Sequence, residues 1–275
     1  MEQVFVSPFT FVFISLFTLF FSFSFQQYDL DCAIYSPDGR VFQVEYACKA
    51  ADNSGTVVGI ACRDGAVLAV EKILHSRLVR SSSSRRTHIL DDHICSATAG
   101  LVTDAQALVE RAREEADNWR DLFSEEIRVD HLARNVAEFA HVFTMYSGYR
   151  PFGCSMVLAG SEENPATGQR TGKVFVVSPD GSCRGYHAAA VGKAHQAACT
   201  ELEKILPQKD QLTARQALTE AAKVLLNVHD ETRDKIYEVE MMWVSSETGW
   251  RAQRVSDDVR DAVIAEAVAN RESEH

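Results

Sequence analysis

The chain has 275 residues, 46% of them hydrophobic and 24% charged, enough for a sizeable core in one large domain or two small ones. A formal net charge of -11 argues against a nucleic-acid backbone binder, which carries a basic face. The seven cysteines form no CxxC pair and match neither a zinc site nor a disulfide framework, so they read as reduced, mostly buried thiols in a cytosolic or nuclear protein.

Val4 to Phe25 is almost entirely Phe, Val, Leu, Ile, Ser and Thr, long enough for the roughly 20 apolar residues that span a bilayer. Taken literally it is a signal peptide or a membrane anchor. The first basic residue of the chain is Arg40, however, so a positive leading region is missing, and no small-residue cleavage site stands out after Phe25. Phe, Ser and Leu codons are rich in pyrimidines, and a run ending Phe-Ser-Phe-Gln is what an intron tract and its acceptor encode when translated. The expectation is a gene-model artefact over residues 1–27 and a domain over residues 28–275.

Ser36-Pro37-Asp38-Gly39 predicts a tight turn, with Pro pre-setting φ at the second position and Gly tolerated at the last. Val41, Val44, Ala47, Cys48 and Ala51 then repeat at helical spacing. Ser54 to Glu71 predicts two strands joined at Arg63-Asp64-Gly65, the Asp-Gly pair being a hairpin signal. Arg80 to Arg86 predicts a Ser/Arg loop, and Ile94 to Ala99 a short buried strand ending at Gly100. Leu101, Ala105, Leu108, Ala112, Ala116, Trp119 and Phe123 define one helical face. Leu132, Val136, Phe139, Phe143 and Tyr146 define the next, broken at Arg150-Pro151-Phe152-Gly153. Strands return at Cys154 to Ala159 and Lys173 to Ser178, followed by a turn at Pro179-Asp180-Gly181 and further strand out to Gly192. Helices are predicted over Ala194 to Leu206 and Thr213 to Val228, a strand over Ile236 to Val244, and a last helix from about Asp257 to Asn270. Strands, two helices, strands, two helices, strands, with no linker or repeat, predicts an α+β fold in one domain: two antiparallel sheets face to face, covered by helices.

Tyr28 to Ala47, YDLDCAIYSPDGRVFQVEYA, resembles the N-terminal signature of the alpha-type subunits of the proteasome core particle. Ala99-Gly100-Leu101, Arg150 to Gly153 and Ala190 to Ala194 look like further landmarks of that family. AREEADNWR (Ala112 to Arg120), RPFGCS (Arg150 to Ser155) and VHDETRDKIYEVEMMWV (Val228 to Val244) resemble its alpha type-3 branch, the seventh alpha position of the eukaryotic ring. The tail, Arg271 to His275, is shorter and less acidic than in that branch.

The resemblance implies a four-layer α/β/β/α sandwich of the N-terminal-nucleophile hydrolase type, in a non-catalytic subunit without cofactor or metal. Its partners would be other alpha subunits in a seven-membered ring, beta-ring subunits, and regulatory-particle ATPases or other activators, in cytoplasm and nucleus, with no nucleic acid and no membrane. It implies a role in gating substrate entry for Tyr28, Asp29, Pro37 and Tyr46; the alternative for Pro37 and Tyr46 is plain docking of the helix. It implies an activator-tail pocket at Gly39, Arg86, Gly100 and Leu101, where the family commonly has Lys at the position of Arg86. The alternative for Arg86 is an ordinary loop salt bridge. Val41 to Ala51 would contribute to the ring interface or pack within the subunit.

Gly55-Thr56 resembles the bond at which beta precursors cut themselves, and an active threonine hydrolase beginning at Thr56 is the alternative function. A membrane-tethered proteasome-like protein is another. A threonine hydrolase needs a free N-terminal Thr, a Lys and a supporting Asp. Anchoring on Gly59 puts Gly55 at the nucleophile position, Glu71 at the Asp and Arg86 roughly at the Lys, and Arg does not give up its proton near neutral pH. His88, Asp91, Asp92 and His93 read as surface polar residues at a strand junction in preference to a metal site. His229-Asp230-Glu231 reads as the polar end of a helix.

Overall fold

The computed structural model describes residues 28–274 apart from 75, 77, 81, 82, 164–167, 209, 210 and 231–235. The hydrophobic leader 1–27 and Glu231 lie outside the described residues.

Antiparallel pairing builds two five-stranded sheets. The first hairpin joins β1 (Val57–Cys62) to β2 (Gly65–Ile73). Cys62 pairs with Gly65, so the loop is the two residues Arg63 and Asp64. Gly65 therefore belongs to the strand and not to the turn, a correction to the Asp-Gly reading. A Cβ at Gly65 would lie 2.1 Å from the Val244 carbonyl, so glycine serves close strand approach here. Asp64 bonds well beyond the hairpin. Its Oδ1 accepts the Ala214 N–H at 2.7 Å, at the start of a helix 150 residues on.

The other sheet begins with β3 (Thr87–Asp91) and β4 (Ile94–Gly100). Sequence periodicity missed β3, because its apolar and polar residues do not alternate. Two long helices follow, α2 (Val102–Phe123) and α3 (Val129–Met145), then β5 (Cys154–Glu163), β6 (Arg170–Val177), β7 (Cys183–Tyr186) and β8 (Ala188–Val191). The chain closes with α4 (His195–Ile205), α5 (Ala214–Val228), β9 (Tyr237–Ser245), the two-residue β10 (Gln253–Arg254) and α6 (Asp257–Glu274). A short helix, α1 (Phe42–Asp52), precedes all of them. The sheet orders are β10-β9-β2-β1-β8 and β3-β4-β5-β6-β7.

Side-chain alternation explains the layering. Along β2, Ala66, Leu68 and Val70 enter the core between the sheets with Ala97, Val157 and Met242. Val67 and Ala69 point the other way, onto Leu218, Ala221 and Leu225 of α5. On the far side, Met156 and Leu158 of β5 meet Leu108, Ala112, Leu132 and Val136 of the α2–α3 pair. Three apolar layers between four structural layers make the α/β/β/α sandwich that the element order predicts. Strands buried on both faces read as unbroken apolar runs, which is how GAVLAV in β2 reads.

Helix ends depart from the predicted faces. Leu101 is the residue before α2 and is 47% exposed, and Phe123 at the other end is 54% exposed. Tyr146 lies just past α3 in extended conformation. α5 begins with a capping box: Thr213 Oγ1 accepts from Gln216 N at 3.4 Å, and Gln216 Oε1 accepts from Thr213 N at 3.0 Å. The outer edge of β3 is closed by side chains. Arg254 Nη2 donates to the Thr87 carbonyl and Arg113 Nε to the Ile89 carbonyl, both at 3.0 Å.

Candidate functional site

The N-terminal arm leads into α1 through the predicted turn. Gly39 N donates to the Ser36 carbonyl at 2.8 Å, and Gly39 takes φ +75°, which favours glycine. Arg40 N donates to Ser36 Oγ at 3.0 Å, and Arg40 Nε reaches Glu45 Oε1 at 2.7 Å in the first turn of α1. Ala47 and Ala51 bury the inner face of α1, which packs against β4 and β5.

Of the four predicted gate residues, the fold brings two together. The Asp29 carboxylate lies near enough to the Tyr46 hydroxyl to raise the phenol above its usual range, with burial second. Gln43 Nε2 donates to the Asp29 carbonyl, so one turn of α1 faces Asp29 at two points. Tyr28 is half-buried beside it. Pro37 is exposed in the turn ahead of α1, and no hydrogen bond or ring contact among the described residues joins it to the other three.

The predicted tail-pocket residues divide in the same way. Arg86 Nη1 donates to the Gly100 carbonyl at 2.6 Å, and burial lowers the guanidinium's pKa. Leu101 N donates to the Gly153 carbonyl at 3.0 Å, and the Leu101 side chain lies at the surface beside Gly153 and Ala50. Gly39 sits on the turn before α1, in open space.

The region matching a hydrolase centre is filled by structural bonds. A Cβ on Gly55 would lie 2.0 Å from the Glu71 carbonyl, so the aligned nucleophile position has no room for a side chain. Thr56 is fully buried just before β1, and its N–H donates to Glu71 Oε2 at 3.3 Å. Glu71 Oε1 lies 2.5 Å from His229 Nδ1, both side chains being about 5% exposed, and the His229 ring packs on Tyr237. Glu240 gathers the next groups. Its carboxylate accepts Lys72 Nζ at 3.2 Å, Arg86 N at 3.0 Å and Thr87 Oγ1 at 3.0 Å. His229 caps the end of α5, where the sequence suggested a polar helix end, but its side chain is buried and not solvated. It is a buried partner of Glu71, invisible beforehand because 158 residues separate the two.

The His88 to His93 stretch also needs correcting. Asp91 and His93 are buried: Asp91 pairs with Arg120, and His93 Nε2 lies 2.8 Å from the Ile127 carbonyl. Among the described residues no group of three or more His, Cys, Asp or Glu side chains could hold a metal ion. None of the seven cysteines is in a disulfide. Sequence reasoning also missed Asp104. It takes Arg150 at 2.7 and 2.8 Å and Gly153 N at 2.8 Å, tying the start of α2 to the Arg-Pro-Phe-Gly break.

A hydrolase-type sandwich with its nucleophile position sealed, fronted by a docked N-terminal arm, defines the class. The family model described as proteasome subunit matches residues 51–244, and the model of the N-terminal signature of A-type proteasome subunits matches residues 28–50. The chain belongs to the proteasome subunit family and carries the alpha-type signature. It is 42% identical to the alpha type-3 proteasome subunit of Spinacia oleracea over 88% of this chain and 94% of that one. It is 42% identical to the alpha type-3 subunit of Dictyostelium discoideum over 87% and 94%, and to that of Oryza sativa subsp. japonica over 88% and 94%. No helix among the described residues is long and apolar enough to cross a membrane.

Proposed function

We propose that this chain is a non-catalytic outer-ring subunit of the proteasome core particle, with roles in ring assembly, substrate gating and regulator docking during ubiquitin-dependent protein degradation. The observation that carries the non-catalytic reading is Gly55, which leaves no space for a threonine at the position aligned with the nucleophile. Without that nucleophile, the Lys–Asp chemistry of the family's active members has nothing to activate.

Tyr28, Asp29, Pro37 and Tyr46 form the gate element in this reading. The Gln43 bond to the Asp29 carbonyl and the nearness of Asp29 to Tyr46 support it, because they set the arm's direction against α1. Gly39, Arg86, Gly100 and Leu101 form the surface that receives activator tails. The Arg86–Gly100 bond brings two of the four together, and the guanidinium keeps further N–H groups for a carboxylate. Ring neighbours are other alpha subunits in a seven-membered ring, the next layer is the beta ring, and the docked regulators are ATPase particles or other activators. The protein works in cytoplasm and nucleus. Residues 28–275 form the functional domain, and the leader 1–27 is a gene-model artefact.

Native expression of the chain with a C-terminal tag, followed by size exclusion of the soluble lysate, tests this. Co-elution with peptidase activity in a particle many times 30.6 kDa is expected. Elution as a small species, or absence from the soluble fraction, overturns it. An intact mass of the purified chain reports separately on residues 1–27.

A further inference from the structure

Between Tyr28 and Tyr35 the arm has little apolar packing. Leu30, Ile34 and Tyr35 are 81%, 40% and 71% exposed, and Cys32 is the one buried residue. Polar contacts to a distant turn hold it instead. The Cys32 thiol lies within donating distance of the Tyr146 carbonyl at 3.2 Å, the Tyr149 carbonyl at 3.3 Å and the Phe143 carbonyl at 3.7 Å. These acceptors lie where α3 ends at Met145 and the chain turns, a place where helix carbonyls lose their intrahelical donors. One residue earlier, Asp31 Oδ2 accepts the Ser147 hydroxyl at 2.6 Å, and its Oδ1 accepts the Ala33 N–H at 2.9 Å. Both carboxylate oxygens are therefore committed. The bond to Ser147 is the main reason that Asp31 titrates below the usual carboxylate range. Burial, with the Asp31 charge second, raises the Cys32 thiol, which keeps it protonated and able to donate.

We infer that Asp31 and Cys32 form a latch that fastens the N-terminal arm to the turn after α3, making Ser147 a positioning residue for the arm. The inference rests on the reading of this arm as a gate element, but its geometry is separate from the Asp29–Tyr46 contact. That contact ties the arm to α1, and the latch ties it to α3. The two anchors flank Leu30, so the arm's path is fixed on both sides of an exposed residue. Ser147 is exposed, and its only role in the described hydrogen bonding is to donate to Asp31, so its replacement leaves the core untouched.

The test uses assembled core particles carrying this chain with Ser147→Ala, Ser147→Thr or Cys32→Ala. Amide hydrogen exchange is read over residues 28–36, and latent peptide hydrolysis is read on the same particles. Loss of one solvent-exposed hydrogen bond predicts roughly three- to tenfold faster exchange of the arm in Ser147→Ala. Cys32→Ala is expected to do the same, and Ser147→Thr to stay at the wild-type rate because it keeps the hydroxyl. Latent hydrolysis should rise with arm exchange, while hydrolysis by fully activated particles stays constant. Wild-type exchange in both alanine variants, or equal acceleration in Ser147→Thr, overturns the latch. Faster exchange with unchanged latent hydrolysis supports the latch and removes the gate role from the arm.

Discussion

Arg86 donates from Nη1 to the Gly100 carbonyl at 2.6 Å, turning inward part of a charge that could otherwise face a docked tail. Its backbone is held as well, the N–H by Glu240 and the carbonyl by the Thr98 N–H at 3.0 Å. Arg86→Ala should cost ~1–2 kcal/mol of stability, as expected for losing a part-buried hydrogen bond from a charged donor. Binding of a peptide with a free carboxyl end should weaken about tenfold, or ~1.4 kcal/mol, because the remaining N–H groups of the guanidinium serve the tail carboxylate. Urea unfolding and fluorescence anisotropy check the two. An affinity within about threefold of wild type, with stability reduced, would show that the guanidinium is only a structural contact.

Asp104 is an acid-labile point of the fold. The Arg150 guanidinium, then the Gly153 N–H, holds its carboxyl below the usual range against the opposing effect of burial. A carboxyl with a lower pKa in the folded state stabilises the fold above its unfolded value of about 3.9 and loses that contribution as pH falls toward the folded value. Asp104→Asn should cost ~2–3 kcal/mol at pH 7 and progressively less below about pH 4. Parallel acid and urea titrations of wild type and variant read this directly. A pH-independent difference would exclude linkage through Asp104.

Gly55 gives the sharpest test against latent hydrolase chemistry. Gly55→Ala places a methyl 2.0 Å from the Glu71 carbonyl, and the resulting strain predicts a loss of ~1–3 kcal/mol or more. Gly55→Thr should show no threonine-peptidase activity even in chains cut to begin there. Turnover of a fluorogenic peptide by such a chain would refute the sealed-site argument.

His229→Ala leaves the buried Glu71 carboxylate with the Thr56 N–H as its one partner among the described residues. Removing one member of a buried pair predicts a loss of ~3–5 kcal/mol, more than an exposed pair such as Lys204–Glu201 could show. Thermal unfolding of His229→Ala and Lys204→Ala chains compares them. Equal melting temperatures would overturn the ranking.

Burial pushes the thiols of Cys62, Cys95 and Cys154 up to about 12. Thiolate is the reactive form, so native alkylation at pH 8 should spare all three. Cys199, half-exposed on α4, should label roughly ten or more times faster. Mass spectrometry of the labelled peptides settles the order, and early labelling of Cys95 would contradict its burial.

Patterns with a period were legible in the sequence. GAVLAV announced a strand buried on both sides, and the apolar spacing of α2, α3 and α5 placed those helices within a few residues. What escaped was non-local. Asp91 at the end of β3 and His93 in the turn after it are polar because they find partners on α2 and the loop after that helix, which no local pattern encodes. Glu71 and His229, or Asp31 and Ser147, lie over a hundred positions apart, and only the fold gives them a reason to be polar. The site was legible through its turn and helix, where Pro37, Gly39 and the α1 spacing act locally. The inward turn of Arg86 was not, because the Gly100 carbonyl that receives it becomes available only when β3 and β4 pair.

An open strand edge invites another strand, and repeated strand addition between copies builds filaments. Here β7 and β8 are four residues long, β10 is two, and the outward carbonyls of β3 are occupied by Arg254 and Arg113. A chain that meets many close relatives therefore offers them almost no backbone to zip against. Any contact with them is left to helices, loops and the arm. That arrangement favours closure at a fixed number of members over indefinite growth.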